Sequence, residues 1–101
     1  MIVINATITA DEEKISAMAE AIVKMEKASL EEEGCQEYCW AVAISDPTQM
    51  RITERWDNTE ALVAHFATPH MAEFQATMAA NPSTDTQIHC YEATEIPFPG
   101  M

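Results

Sequence analysis

The feature that most constrains this chain is the order in which its apolar residues change period. Ile2, Ile4, Ala6 and Ile8 alternate with Val3, Asn5, Thr7 and Thr9, the period of two that belongs to a strand with unlike faces. Ile15, Met18, Ile22 and Met25 then recur at steps of three and four, the spacing of an amphipathic helix. The period returns to two through Tyr38, Trp40, Val42 and Ile44. It does so again from Gln49 to Trp56, where Met50, Ile52, Glu54 and Trp56 oppose Arg51, Thr53 and Arg55. Two short helical patterns follow, Ala61, Leu62, His65 and Phe66, then Met71, Phe74 and Met78, before "QIHCYEAT" closes with a last strand.

Local punctuation supports these boundaries. Thr9 with Glu12 fits a capping box, and Asp11, Glu12 and Glu13 suit the positive end of the helix that follows. Gly34 is placed to end that helix in a left-handed cap. "SDPTQ" supplies a hairpin turn with Pro47 fixing its backbone angle. Asp57 with Glu60 caps the first short helix, and Thr68 caps the second with Pro69 at its first position. "NPSTDT" breaks the pattern, and "EIPFPGM" reads as an irregular tail.

Strand, helix, strand, strand, helix pair, strand is the ferredoxin-like split pattern, an α+β fold with helices on one face of an antiparallel sheet. One domain over residues 1–101 is expected, with its core ending near residue 94 and a tail over 95–101. Helices in so short a chain cover one sheet face only. Trp40 and Trp56 suggest that the other face is also covered, most economically by a second copy, so a homodimer is expected.

Seventeen acidic residues against five basic ones give a formal charge of -12, a field that repels phosphate backbones and anionic lipid. Neither nucleic acid nor a membrane is therefore expected as a partner. The opening residues carry no basic stretch followed by an apolar run, and no stretch approaches the roughly eighteen apolar residues of a span, so a cytoplasmic location is expected. Cys35 and Cys39 read as sharing one strand face about 13 Å apart, at about 3.3 Å per residue, too far to bond. With Cys90 they make an odd set without metal-type spacing, which suits reduced packing thiols.

"EEEGCQEYCW", "MRITERWDNTEALVAHFATPHMAEF" and "HCYEAT" together resemble the antibiotic biosynthesis monooxygenase family of dimeric α+β barrel proteins. The run W-x-x-x-x-A-L-x-x-H-F-x-T-P-H is the most specific part of the likeness. The resemblance implies a pocket between the helices and the inner sheet face. Trp56, Tyr38 and Phe66 would form its substrate-binding wall, and His65, His70 and Asn5 its polar groups. It also implies chemistry without a cofactor: a phenol or hydroquinone loses a proton, and the electron-rich anion reacts with oxygen inside a dry aromatic enclosure. In the haem-degrading branch of the wider superfamily the ligating histidine falls at Gln75 here, which cannot replace it. Two glycines in all leave no phosphate-binding loop.

His70, in the first turn of a helix whose dipole disfavours an imidazolium, is the first choice for the base, with His65 the second and Asn5 a hydrogen-bond donor. Each has a plainer reading: His70 as a solvated surface ring, His65 as packing beside Phe66, and Asn5 as an amide satisfying a local hydrogen bond. His65 and His70 stand five apart across a helix break with no nearby carboxylate or cysteine in a ligand pattern, so no metal is expected. The function so implied is a cofactor-independent monooxygenase of a small phenolic or quinol compound. An isomerase of a small hydroxyketone-like metabolite and a non-catalytic small-molecule binding or stress protein are the alternatives.

Overall fold

A computed structural model describes residues 1–100. Four strands form one antiparallel sheet: β1 (Ile2–Thr9), β2 (Cys35–Ala43), β3 (Asp46–Trp56) and β4 (Asp85–Glu92), in the order β2-β3-β1-β4. Helix α1 (Glu12–Leu30) links β1 to β2, and α2 (Thr59–Phe66) with α3 (Pro69–Ala80) links β3 to β4. This is the ferredoxin-like arrangement that the alternating periods predict. The tail beyond β4 is irregular through Gly100; its last expected residue, Met101, lies outside the described residues.

Register assigns each residue to a face. The rows Tyr38, Glu54, Ile4, Cys90 and Trp40, Ile52, Ala6, Ile88 run across the sheet on the side where Met18, Ile22, Met25, Leu62, Met71 and Phe74 pack. The opposite face carries the rows Glu37, Arg55, Val3, Tyr91 and Cys39, Thr53, Asn5, His89. Trp56 is wholly buried and Trp40 packs against the core, so both tryptophans face the helices. The expectation that they mark an apolar uncovered face is corrected. That face is mixed and largely polar, laced by an Arg55 to Glu37 ion pair at 2.7 Å and an Arg51 to Thr7 hydrogen bond at 3.1 Å.

Several local expectations shift for identifiable reasons. Asp11, not Thr9, is the N-cap of α1, and its side chain makes no capping bond. The helix ends at Leu30, and Gly34 adopts its left-handed φ of 83° inside the turn that leads to β2. A bulge at Gln36 breaks the alternation, so Cys35 packs beside the core while Cys39 is exposed on the other face. The hairpin turns at Ile44 and Ser45, earlier than "SDPTQ". Pro47 sits in the irregular start of β3, between the pairs Ala43 with Asp46 and Val42 with Met50, where no ladder hydrogen bond is required of it. Asn58 caps α2 by accepting from the Ala61 amide, while Asp57 accepts from Gln36 Nε2. Thr68 caps α3 as predicted, accepting from the Met71 amide. Among the described residues, no helix is long and apolar enough to cross a membrane.

Candidate functional site

Between the helix-facing side of the sheet and α3 lies a cavity of about 370 Å³. Its floor is built by the period-two residues Ile4, Ala6, Ile8, Met50 and Ile52, and its roof by Met71, Phe74 and Met78 from the helical stripe. Apolar residues at these positions follow from the need to bury both elements against each other. Exposed Ser83, Thr86 and Ile88 belong to the rim, where the edge strand β4 leaves the chamber uncovered within one chain. Among the residues lining the chamber, Glu54 carries the one carboxyl group and Tyr38 the one phenol.

These two groups are cross-strand partners, Tyr38 on β2 opposite Glu54 on β3. Tyr38 Oη accepts from Trp40 Nε1 at 3.2 Å, which leaves its own proton available to a ligand. Burial pushes the Tyr38 hydroxyl well above its ordinary pKa, so it remains a donor. Glu54 Oε1 accepts from Trp56 Nε1 at 3.0 Å. Burial raises the Glu54 pKa, against the lowering effects of the Trp56 hydrogen bond and the nearby His65. Phe66, on the last turn of α2, also lines the chamber, whereas Trp56 is wholly buried outside its lining and holds Glu54.

The histidines occupy a different place from the one expected. Neither His65 nor His70 lines the chamber. His65 is fully buried, with ring centroids 4.7 Å from Trp56, 5.6 Å from Tyr38 and 5.5 Å from Phe66. Its Nδ1 lies 2.7 Å from Glu32 Oε2, and His70 Nε2 lies 2.7 Å from the same oxygen. A carboxylate only accepts, so each ring directs an N–H at Glu32. His65 Nε2 is buried with no hydrogen-bond partner. His70 stands at a second, wider space, a groove of about 710 Å³ between α1 and α3.

Asn5 is exposed on the sheet face opposite the helices, paired in register with Thr53 and His89, and cannot reach the chamber of its own chain. A one-residue step along a strand reverses the side chain's face, and that step separates Asn5 from Ile4. Sequence reasoning missed Glu32 and Glu54. Glu32 stands 33 residues before His65 and reads as part of the acidic run "EEEG". Glu54 was legible as the one charged residue in the row Met50, Ile52, Glu54, Trp56, a break in pattern that marks a carboxylate turned toward the core. Burial, followed by the charges of Glu32 and Glu54, pushes the Cys35 thiol up to about 11, so it stays protonated at neutral pH.

A split antiparallel sheet roofed on one side by helices, with an apolar chamber and an acid and hydroxyl pair on its wall, defines a small ferredoxin-like domain built around a single-molecule-sized pocket. The chain belongs to the antibiotic biosynthesis monooxygenase family, whose sequence profile matches residues 1–77. The fold is shared with a Deinococcus radiodurans protein provisionally described as an antibiotic biosynthesis monooxygenase. The two are 31% identical, with 99% of this chain and 100% of that one covered at a TM-score of 0.88. A Bacteroides thetaiotaomicron protein described as a possible oxidoreductase of unknown function is 26% identical over 91% of this chain and 96% of its own, with a TM-score of 0.82. A Nitrosomonas europaea protein, 21% identical over 94% of this chain and 100% of its own at a TM-score of 0.86, shares the fold. Among curated proteins none matches.

Proposed function

We propose that the protein is a cofactor-independent monooxygenase that converts a small phenolic or quinol compound to a quinone. The observation that carries this reading is the pairing of Glu54 with Tyr38 on the wall of an otherwise apolar chamber. An ionised Glu54 accepts the phenolic proton, and a carboxyl whose basicity burial has raised is better matched to a phenol than an ordinary one. Tyr38 donates its hydroxyl proton to the developing phenolate oxygen, and Trp40 with Phe66 and Phe74 keeps water from the carbanion-like ring carbon.

The anion gives up an electron pair to oxygen, forming a carbon to oxygen bond at a ring carbon that bears hydrogen. Protonation yields a hydroperoxide; loss of that hydrogen with cleavage of the oxygen to oxygen bond leaves a carbonyl and one water. Substrate supplies every electron. The role of base, first assigned to His70 or His65, passes here to Glu54, because the histidines stand outside the chamber and Glu54 within it.

The decisive experiment screens naphthols, anthrols and hydroquinones with an oxygen electrode and follows quinone by absorbance. One oxygen consumed per quinone formed, insensitive to a chelator, is expected. Rearranged product without oxygen uptake would favour the isomerase reading, and saturable binding with neither would make this a binding protein.

The open rim along β4 suits closure by a second copy, and a homodimer belongs to the same proposal. Exposed Ile96 and Phe98 in the tail supply apolar anchors for that contact. Light scattering at micromolar concentration should give twice the chain mass of 11.2 kDa, and truncation before Ile96 should shift the equilibrium toward monomer. A monomer throughout would leave the chamber open and remove the water exclusion that the chemistry needs.

A further inference from the structure

We infer that Glu32, His65 and His70 form a binding site for a divalent transition-metal ion of the zinc type, separate from the chamber. The three side chains come from the turn after α1, the last turn of α2 and the first turn of α3, and their ligand atoms lie within 4.8 Å of one another. Glu32 Oε2 stands between the two ring nitrogens at 2.7 Å from each, so one carboxylate oxygen already gathers both imidazoles. In a tetrahedral shell, ligand distances of about 2.1 Å for both oxygen and nitrogen place neighbouring ligand atoms about 3.4 Å apart. Each 2.7 Å contact must open and the two ring nitrogens, up to 4.8 Å apart, must draw together; Glu32 lies in a turn and His70 is partly exposed, so both side chains can move while His65 stays fixed.

The electrostatics also favour a cation. Among the described residues, the Glu32 carboxylate pairs with no lysine or arginine, only with the two imidazoles. The C-terminal ends of α1 and α2 converge on it, each presenting the negative end of its dipole, against one N-terminal end from α3. The surrounding chain carries a formal charge of -12. Two imidazoles with one carboxylate select zinc, cobalt, nickel or copper over magnesium or calcium, which prefer all-oxygen sets.

Access is built in as well. His65 is sealed by Trp56 and Tyr38, which fixes its ring, whereas His70 is partly exposed and borders the α1 to α3 groove, from which water can complete the coordination shell. Ligation takes the ring lone pairs at His65 Nδ1 and His70 Nε2. The ring protons then sit on the other nitrogens, His65 Nε2 and His70 Nδ1.

Titration of tag-free protein with Co²⁺, without any phenol or oxygen assay, tests this directly. One cobalt per chain with visible ligand-field absorption, displaced by Zn²⁺ and unaffected by excess Mg²⁺, is expected. Glu32→Gln and His70→Ala should each weaken binding by more than the ~10- to 100-fold that follows loss of an outer partner; His89→Ala, on the opposite sheet face, should leave it unchanged. Circular dichroism confirms that each variant is folded, and His70→Gln serves if His70→Ala is not. Absence of one-to-one binding by the parent at micromolar ion, or equal affinity in the His70 variants, overturns the site.

Discussion

Tyr38 and Glu54 are direct partners across the β2 to β3 ladder, and each is held by a tryptophan indole: Trp40 Nε1 donates to Tyr38 Oη, and Trp56 Nε1 to Glu54 Oε1. A hydrogen-bond donor and a proton acceptor thus sit side by side on a rigid strand pair rather than on loops, with their orientations fixed by groups two residues along the same strands.

Glu54→Gln should lower turnover of an accepted phenol by ~10²- to 10⁴-fold, the usual cost of losing a general base. Burial raises the folded pKa of Glu54 above its unfolded value, so its contribution to stability is complete in acid and is lost as pH rises through the raised value. The variant should therefore melt no lower than the parent at neutral pH, and the parent's rate should climb with pH through the same window. Rate profiles and melting curves from pH 4 to pH 8 check both halves. An unchanged rate in Glu54→Gln would remove the carboxylate from the chemistry.

Tyr38→Phe keeps the ring that packs on His65 but deletes the donor. Loss of one such donor costs about 10²- to 10³-fold in turnover. The structural cost is modest, about 1 kcal/mol, because half-buried Trp40 can turn its indole N–H to water. A variant that is fully active would show that the hydroxyl serves only Trp40.

The two histidines should separate cleanly in thermal melts. His65→Ala empties a fully buried site among Trp56, Tyr38 and Phe66 and should cost about 2 to 5 kcal/mol. His70, partly exposed at the start of α3, should cost about 1 kcal/mol or less when replaced by Ala. Equal destabilisation would mean that His65 is not the packing element that its burial indicates.

Gly34 combines a left-handed φ of 83° with a close approach to α2, where an added Cβ would stand 2.6 Å from Ala61 Cβ. Gly34→Ala should therefore destabilise by about 1 to 3 kcal/mol through backbone strain, and by more if α2 must shift. Equilibrium denaturation measures it. Replacement without loss would place the β2 entry turn in another conformation.

The sequence by itself determined the element order, because side-chain period is a property of local geometry: Ile4, Ala6 and Ile8 could share a face only in a strand, and Met18, Ile22 and Met25 only on a helix. It likewise determined the Thr68 cap and Pro69 start of α3, whose hydrogen bonds close within four residues. Boundaries set by a partner strand escaped it: the Gln36 bulge and the early turn at Ile44 and Ser45 arise from register with β3, which no local window contains. The site was hidden for the same reason. Glu32 meets His65 and His70 across 33 and 38 residues, Tyr38 meets Glu54 through strand pairing, and Asn5 falls on the outer face because β1 presents Ile4 to the helices. Only the closed fold, through packing and register between distant segments, brought Glu32 to the two histidines and Glu54 to the chamber wall.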